Sequence, residues 1–141
     1  MLLNTFFVPK GQSSCVISYE EDERWLQAVW NGYVDQSAAK RGAELFLRHA
    51  ACRPSAFMLS DNSRLRGPWF QDLEWLATIW MPQAATLGLR YVAHVEQADS
   101  LFSRTELTLN LGVPFELQLF HDLEDARNWL REVRRNHPTH A

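Results

Sequence analysis

The densest run of chemically capable side chains in this 141-residue chain is Asp61-Asn62-Ser63-Arg64-Leu65-Arg66, followed directly by Gly67-Pro68. Two guanidinium groups beside the start of a helix could hold a phosphate or carboxylate, because arginine offers a planar two-pronged donor and free amides at a helix N-terminus favour negative charge. The candidate anion site is therefore Asp61, Ser63, Arg64, Arg66 and the amides near Gly67, with Glu96 and His121 at the ends of neighbouring strands. A plainer expectation is that Asp61 pairs with one of the two arginines and fixes the loop.

Other reactive groups are scattered. His121 adjoins Asp122, but neighbours on a turn make no triad without a nucleophile at the other imidazole nitrogen. His94 falls mid-strand and is expected to face a helix. His49 sits at the margin of a helix face with no second ligand at useful spacing, which predicts a hydrogen-bonded structural histidine. Cys15 and Cys52 have neither metal-ligand nor Cys-x-x-Cys spacing and read as small packing residues in a reducing compartment. No carboxylate pair, phosphate-cradling glycine loop or metal constellation is evident, so the expectation is no catalysis and no cofactor.

The element that must position the polar run is the helix that follows it, which carries three of the six tryptophans. Pro68 suits its first turn and Gly88 its end. Trp69, Leu73, Leu76, Trp80, Ala84 and Leu87 form its core stripe at a 3.6-residue period, whereas Trp75 and Ile79 lie roughly 120–160° from Leu73. Pro82 removes a backbone donor and crowds the carbonyl of Thr78, which predicts a kink or break. The apolar candidates are thus Trp69, Phe70, Trp75, Ile79 and Trp80. They could line a pocket for a small hydrophobic or amphipathic molecule, or Trp75 and Ile79 could centre a self-complementary dimer patch. Core packing is the expectation for Trp69 and Trp80, and association for Trp75 and Ile79.

Composition narrows the class. A 46% hydrophobic chain with net charge −3, from 17 acids and 14 bases, predicts one domain over 1–141 with its core at about 14–136 and an arm or edge strand at 1–10. The lack of a basic stripe argues against nucleic acid, and the cluster Arg131, Arg134, Arg135 and His137 reads as a solvated helix end that complements the helix dipole. No apolar run approaches a membrane span, and the opening residues lack the cationic lead of a signal peptide; the expected location is cytoplasmic.

In chain order, the pattern predicts an antiparallel hairpin from strands 15–20 and 24–30 across Glu21-Asp22-Glu23, the second strand lying inside the sheet. A helix over 36–51 follows, capped by Asp35, with Ala39, Gly42, Ala43, Phe46 and Ala50 on its inner face. Next come a buried strand at 56–60, the Trp-rich helix, a strand at 90–95, a segment at 99–111 and a strand at 115–120. In 99–111, Leu107, Leu109 and Leu111 alternate as in a strand, whereas Leu101, Phe102, Thr105, Thr108 and Leu109 fit a helical face; helix is chosen because parallel strands need a crossover. A final helix opens at Asp122, with Asp125 three residues on, and buries Leu123, Ala126, Leu130 and Val133. The fold class is α/β: a hairpin joined to a mostly parallel sheet with about four helices.

This order resembles the SpoIIAA-like branch of the STAS superfamily, which is sometimes grouped with SEC14-like lipid binders. The resemblance spans about 14–133 and rests on Trp30-Asn31-Gly32-Tyr33-Val34-Asp35, Gln71-Asp72-Leu73-Glu74-Trp75, Trp80-Met81-Pro82 and Gly88-Leu89-Arg90-Tyr91-Val92-Ala93. Its most telling stretch is Leu119-Phe120-His121-Asp122-Leu123-Glu124-Asp125-Ala126-Arg127-Asn128-Trp129-Leu130. The resemblance implies a regulatory or protein-binding module without catalysis, with a lipid-like ligand between helices and sheet as the alternative. In the antagonist proteins a serine at the start of the helix after the third strand is phosphorylated. Here that segment reads Arg66-Gly67-Pro68-Trp69-Phe70, and neither Ser60 nor Ser63 takes the serine's place.

Overall fold

The computed structural model describes residues 2–7, 14–66, 73–96 and 114–136. Six strands, β1 (Leu2–Phe7), β2 (Ser14–Glu20), β3 (Trp25–Tyr33), β4 (Phe57–Arg66), β5 (Tyr91–Val95) and β6 (Glu116–Phe120), form one sheet in chain order. The pairs β1–β2 and β2–β3 are antiparallel, and β3 through β6 run parallel. As expected, the hairpin turns on acidic residues: the Glu23 and Arg24 amides both donate to the Glu20 carbonyl, and Arg24 takes the left-handed conformation at φ 62°.

Parallel neighbours need crossovers. The first is α1 (Gln36–Cys52), where Asp35 accepts from the Ala38 amide at 2.9 Å as an N-cap should. The second crossover, from β4 to β5, includes α2 (Leu73–Trp75), a π-helical turn (Leu76–Trp80) and α3 (Met81–Thr86), joined end to end. Pro82 explains the interruption: it has no amide to give Thr78, and the preceding Met81 amide reaches back five residues to the Leu76 carbonyl. The wider turn brings Met81 into register with Leu76, so Met81 is buried with Leu76, Trp80 and Ala84, a core position that a uniform 3.6-residue period misses. The chain leaves α3 through Gly88, at φ 112°, while the Leu89 amide bonds the Ala84 carbonyl. The last helix, α4 (Leu123–Asn136), is capped by Asp122, whose carboxylate accepts from the Asp125 amide at 3.1 Å.

The helices cover both sheet faces. α1 and α3, with the π turn, bury Ile17, Leu26, Ala28, Trp30, Met58 and Val92, while α4 buries Trp25, Phe57, Leu59, Ala93 and Val95. Three helical units are described, and the crossover helix expected at 99–111 lies outside the described residues. The small inner face of α1 lets it settle on the sheet. A Cβ at Gly42 would stand 2.3 Å from Cη2 and 2.7 Å from Cζ2 of the buried Trp30 ring. Gly42→Ala should therefore destabilise despite a helix-propensity gain of about 1 kcal/mol, because overpacking a filled core costs ~1–3 kcal/mol. A urea titration checks this, and a midpoint at or above wild type would contradict the close approach.

Three expectations need correction. Arg131 and Arg134 are not a merely solvated helix end. Arg131 grips the Glu23 carboxylate through Nε at 2.8 Å and Nη2 at 2.6 Å, and Arg134 donates to the Glu23 backbone carbonyl, tying the hairpin turn to α4. Hydrogen bonding by Arg131 holds the Glu23 carboxyl below its ordinary range. Cys52 is exposed and is no packing residue, whereas Cys15 is buried and its thiol is pushed up to about 12 by that burial. His49 is not the hydrogen-bonded histidine expected, since its buried Nε2 has no partner among the described residues.

Candidate functional site

The carboxyl end of the sheet is built by β4 outrunning β5. Their pairing stops at Asp61 opposite Val95, yet β4 continues beside β3, with Arg64 opposite Asn31 and Arg66 opposite Tyr33. One extra residue in β4 between Asp61 and Arg64 makes a bulge, a device that re-aims side chains at sheet edges. The Asp61 carboxylate stabilises it, accepting from the Ser63 amide at 2.9 Å and the Ser63 hydroxyl at 2.7 Å. Asp61 is thus committed to Ser63 and not to an arginine. Arg64 and Arg66 are exposed, and neither is in an ion pair among the described residues. Gly67 lies outside the described residues, as does the helix start expected at Pro68.

Behind this edge lies a buried polar layer. His94 Nδ1 meets the Ser60 hydroxyl at 2.9 Å, and both residues are buried, as is Asp61. Burial pushes the imidazole down to about 4, against the pull of the Asp61 charge. Asn62 is only 1% exposed, and its Oδ1 has no hydrogen-bond partner among the described residues. At the ends of the next two strands, His121 and Glu96 approach to 3.5 Å. Chemically, this layer holds an imidazole, kept neutral by burial, against a hydroxyl of another buried residue. Among the described residues, no group of three His, Cys, Asp or Glu side chains could hold a metal ion.

The apolar candidates separate by depth. Trp80 is buried on the Phe46 ring at 5.9 Å and donates its indole N–H to the Ala43 carbonyl at 2.9 Å. Trp75 is half-buried against α1, with the Lys40 ammonium 5.3 Å from the ring centre. Ile79, one turn on, is 45% exposed. Trp69 and Phe70 lie outside the described residues. Sequence reasoning missed an adjoining feature, a surface groove of about 590 Å3 between α1 and α3, lined by Glu44, Leu47, Arg48 and Ala51 on one side and Pro82, Gln83, Thr86 and Leu87 on the other. Leu47 was the available signal, an apolar residue beside the buried stripe of α1, whereas Leu87, expected on the core stripe, is only partly buried.

Comparison with solved structures decides the architecture. An uncharacterised protein of the DUF3478 family from Shewanella loihica PV-4, described as having a SpoIIAA-like fold, superposes with a TM-score of 0.52 at 18% identity, covering 88% of this chain and 99% of that one. The fold is SpoIIAA-like. The hairpin leading into parallel strands and the helices on both faces are thus shared features of a SpoIIAA-like scaffold. No family model and no curated protein matches the chain. No helix among the described residues is long and apolar enough to cross a membrane.

Proposed function

We propose that this SpoIIAA-like protein is a non-enzymatic, STAS-type association module that meets protein partners, including itself, through the ridge formed by Trp75 and Ile79. The observation that carries this reading is Ile79, a large apolar side chain 45% exposed on the π turn beside a half-buried tryptophan. An apolar surface of this kind, with an aromatic flank, gains by losing water against a partner. The non-enzymatic reading is supported by the burial of both members of the Ser60–His94 pair.

Sedimentation equilibrium tests the proposal. The wild-type chain should form a dimer, and Ile79→Asp should weaken it at least tenfold, about 1.4 kcal/mol, with an unchanged circular dichroism spectrum. A monomeric wild type would remove self-association from the proposal. Native mass spectrometry showing a bound small molecule in place of a doubled mass would favour the hydrophobic-ligand alternative.

A further inference from the structure

The groove between α1 and α3 carries a charge pattern that its own chain leaves unanswered. Glu44 and Arg48 stand one turn apart on the α1 wall, and both are exposed. Their spacing permits an intrahelical pair, yet neither is in an ion pair among the described residues. Between them and α3 the surface is apolar, with Leu47 on one side and Pro82 and Leu87 on the other. Ile79 precedes Pro82 by three residues in the chain.

We infer that the α1 wall of this groove packs on the α1 wall of a second copy of the chain, related by a two-fold axis between Glu44 and Arg48, so that each copy's Glu44 faces the other's Arg48. The inference rests on the association reading above and names its partner and geometry. Charge complementarity selects the occupant. A uniformly acidic or basic segment would satisfy one wall charge and repel the other, whereas two α1 helices laid antiparallel satisfy both at once. A two-fold contact is self-complementary by construction: what residue i does to residue j, j does to i. The same arrangement sets Leu47, which stands beside both charges on α1, against its counterpart near the axis.

The test is a charge-swap series on the full chain, read as the dimer dissociation constant by sedimentation equilibrium. Glu44→Arg and Arg48→Glu should each weaken dimerisation roughly tenfold, since each sets like charges opposite one another twice. The double variant Glu44→Arg/Arg48→Glu should return to within about threefold of wild type, because the pairs are rebuilt with their signs exchanged. Single variants with wild-type affinity, or a double variant as weak as the worse single, would overturn the geometry. If Ile79→Asp dissociates the dimer while the swaps do nothing, the association reading stands and this arrangement falls. A monomeric wild type removes both.

Discussion

Trp80→Ala will lower the stability of the fold by about 3–5 kcal/mol, the range for emptying a buried aromatic site. Trp80 is 7% exposed, sits on Phe46 and anchors the π turn to the middle of α1 through the Ala43 carbonyl. Its removal leaves a cavity between two helices and the sheet and takes away the hydrogen bond from the indole to the Ala43 carbonyl of α1. Since domains of this kind are held by only about 5–15 kcal/mol in total, the variant will be partly unfolded at modest urea concentrations. The measurement is the urea midpoint at constant slope. Trp80→Phe separates the contributions: it keeps most of the apolar contact and should lose little more than the hydrogen bond, about 1 kcal/mol. If Trp80→Ala costs less than 1 kcal/mol, the helix is not seated as described.

The second large effect is on acid stability. Folded His94 is neutral, held down to about 4 by burial, whereas in the unfolded chain it titrates near its ordinary value of about 6.5. As the pH falls below 6.5 the unfolded chain binds a proton that the folded protein refuses, so stability declines until about pH 4 and then levels off for this group. The gap corresponds to a loss of roughly 3 kcal/mol at most. Glu23 adds a further loss at lower pH, because hydrogen bonding by Arg131 holds its carboxyl below the ordinary carboxylate range, and protonation breaks the tie to α4. Stability of wild type and His94→Gln, measured by urea titration from pH 7.5 to 4, checks the assignment. The variant starts less stable, having lost its fit to Ser60, but its curve should be nearly flat between pH 6.5 and 4.5. A wild-type slope retained in the variant would show that another group titrates.

Much of the architecture could be read from local patterns because its elements follow local rules. Asp35 marks the start of α1, the small residues Ala39, Gly42 and Ala43 mark its buried side, and each acts within a few residues. The polar run at the end of β4 was harder. Asp61, Asn62 and Ser63 carry every mark of a loop, yet the strand continues to Arg66 because it has β3 to pair with and because Leu65 is buried between two exposed arginines. The alternation Arg64-Leu65-Arg66 was the available clue. Pro82 announced a break in the helix, but the π turn and the rotation of Met81 into the core depend on packing against α1, which periodicity does not contain. The same holds for Asp61 choosing Ser63 over an arginine and for Arg131 reaching Glu23. These are contests between partners, settled by geometry that only the assembled chain supplies.

The sheet's spatial order follows the chain's own order from first strand to last. A polypeptide emerging from the ribosome can therefore add each strand beside the one just laid down, with none held open for a neighbour still to be synthesised. The tie between the hairpin turn and α4 runs against that economy: Arg131 closes on Glu23 across 108 positions, and Arg134 across 111. It acts as a latch that can engage only when synthesis is nearly complete.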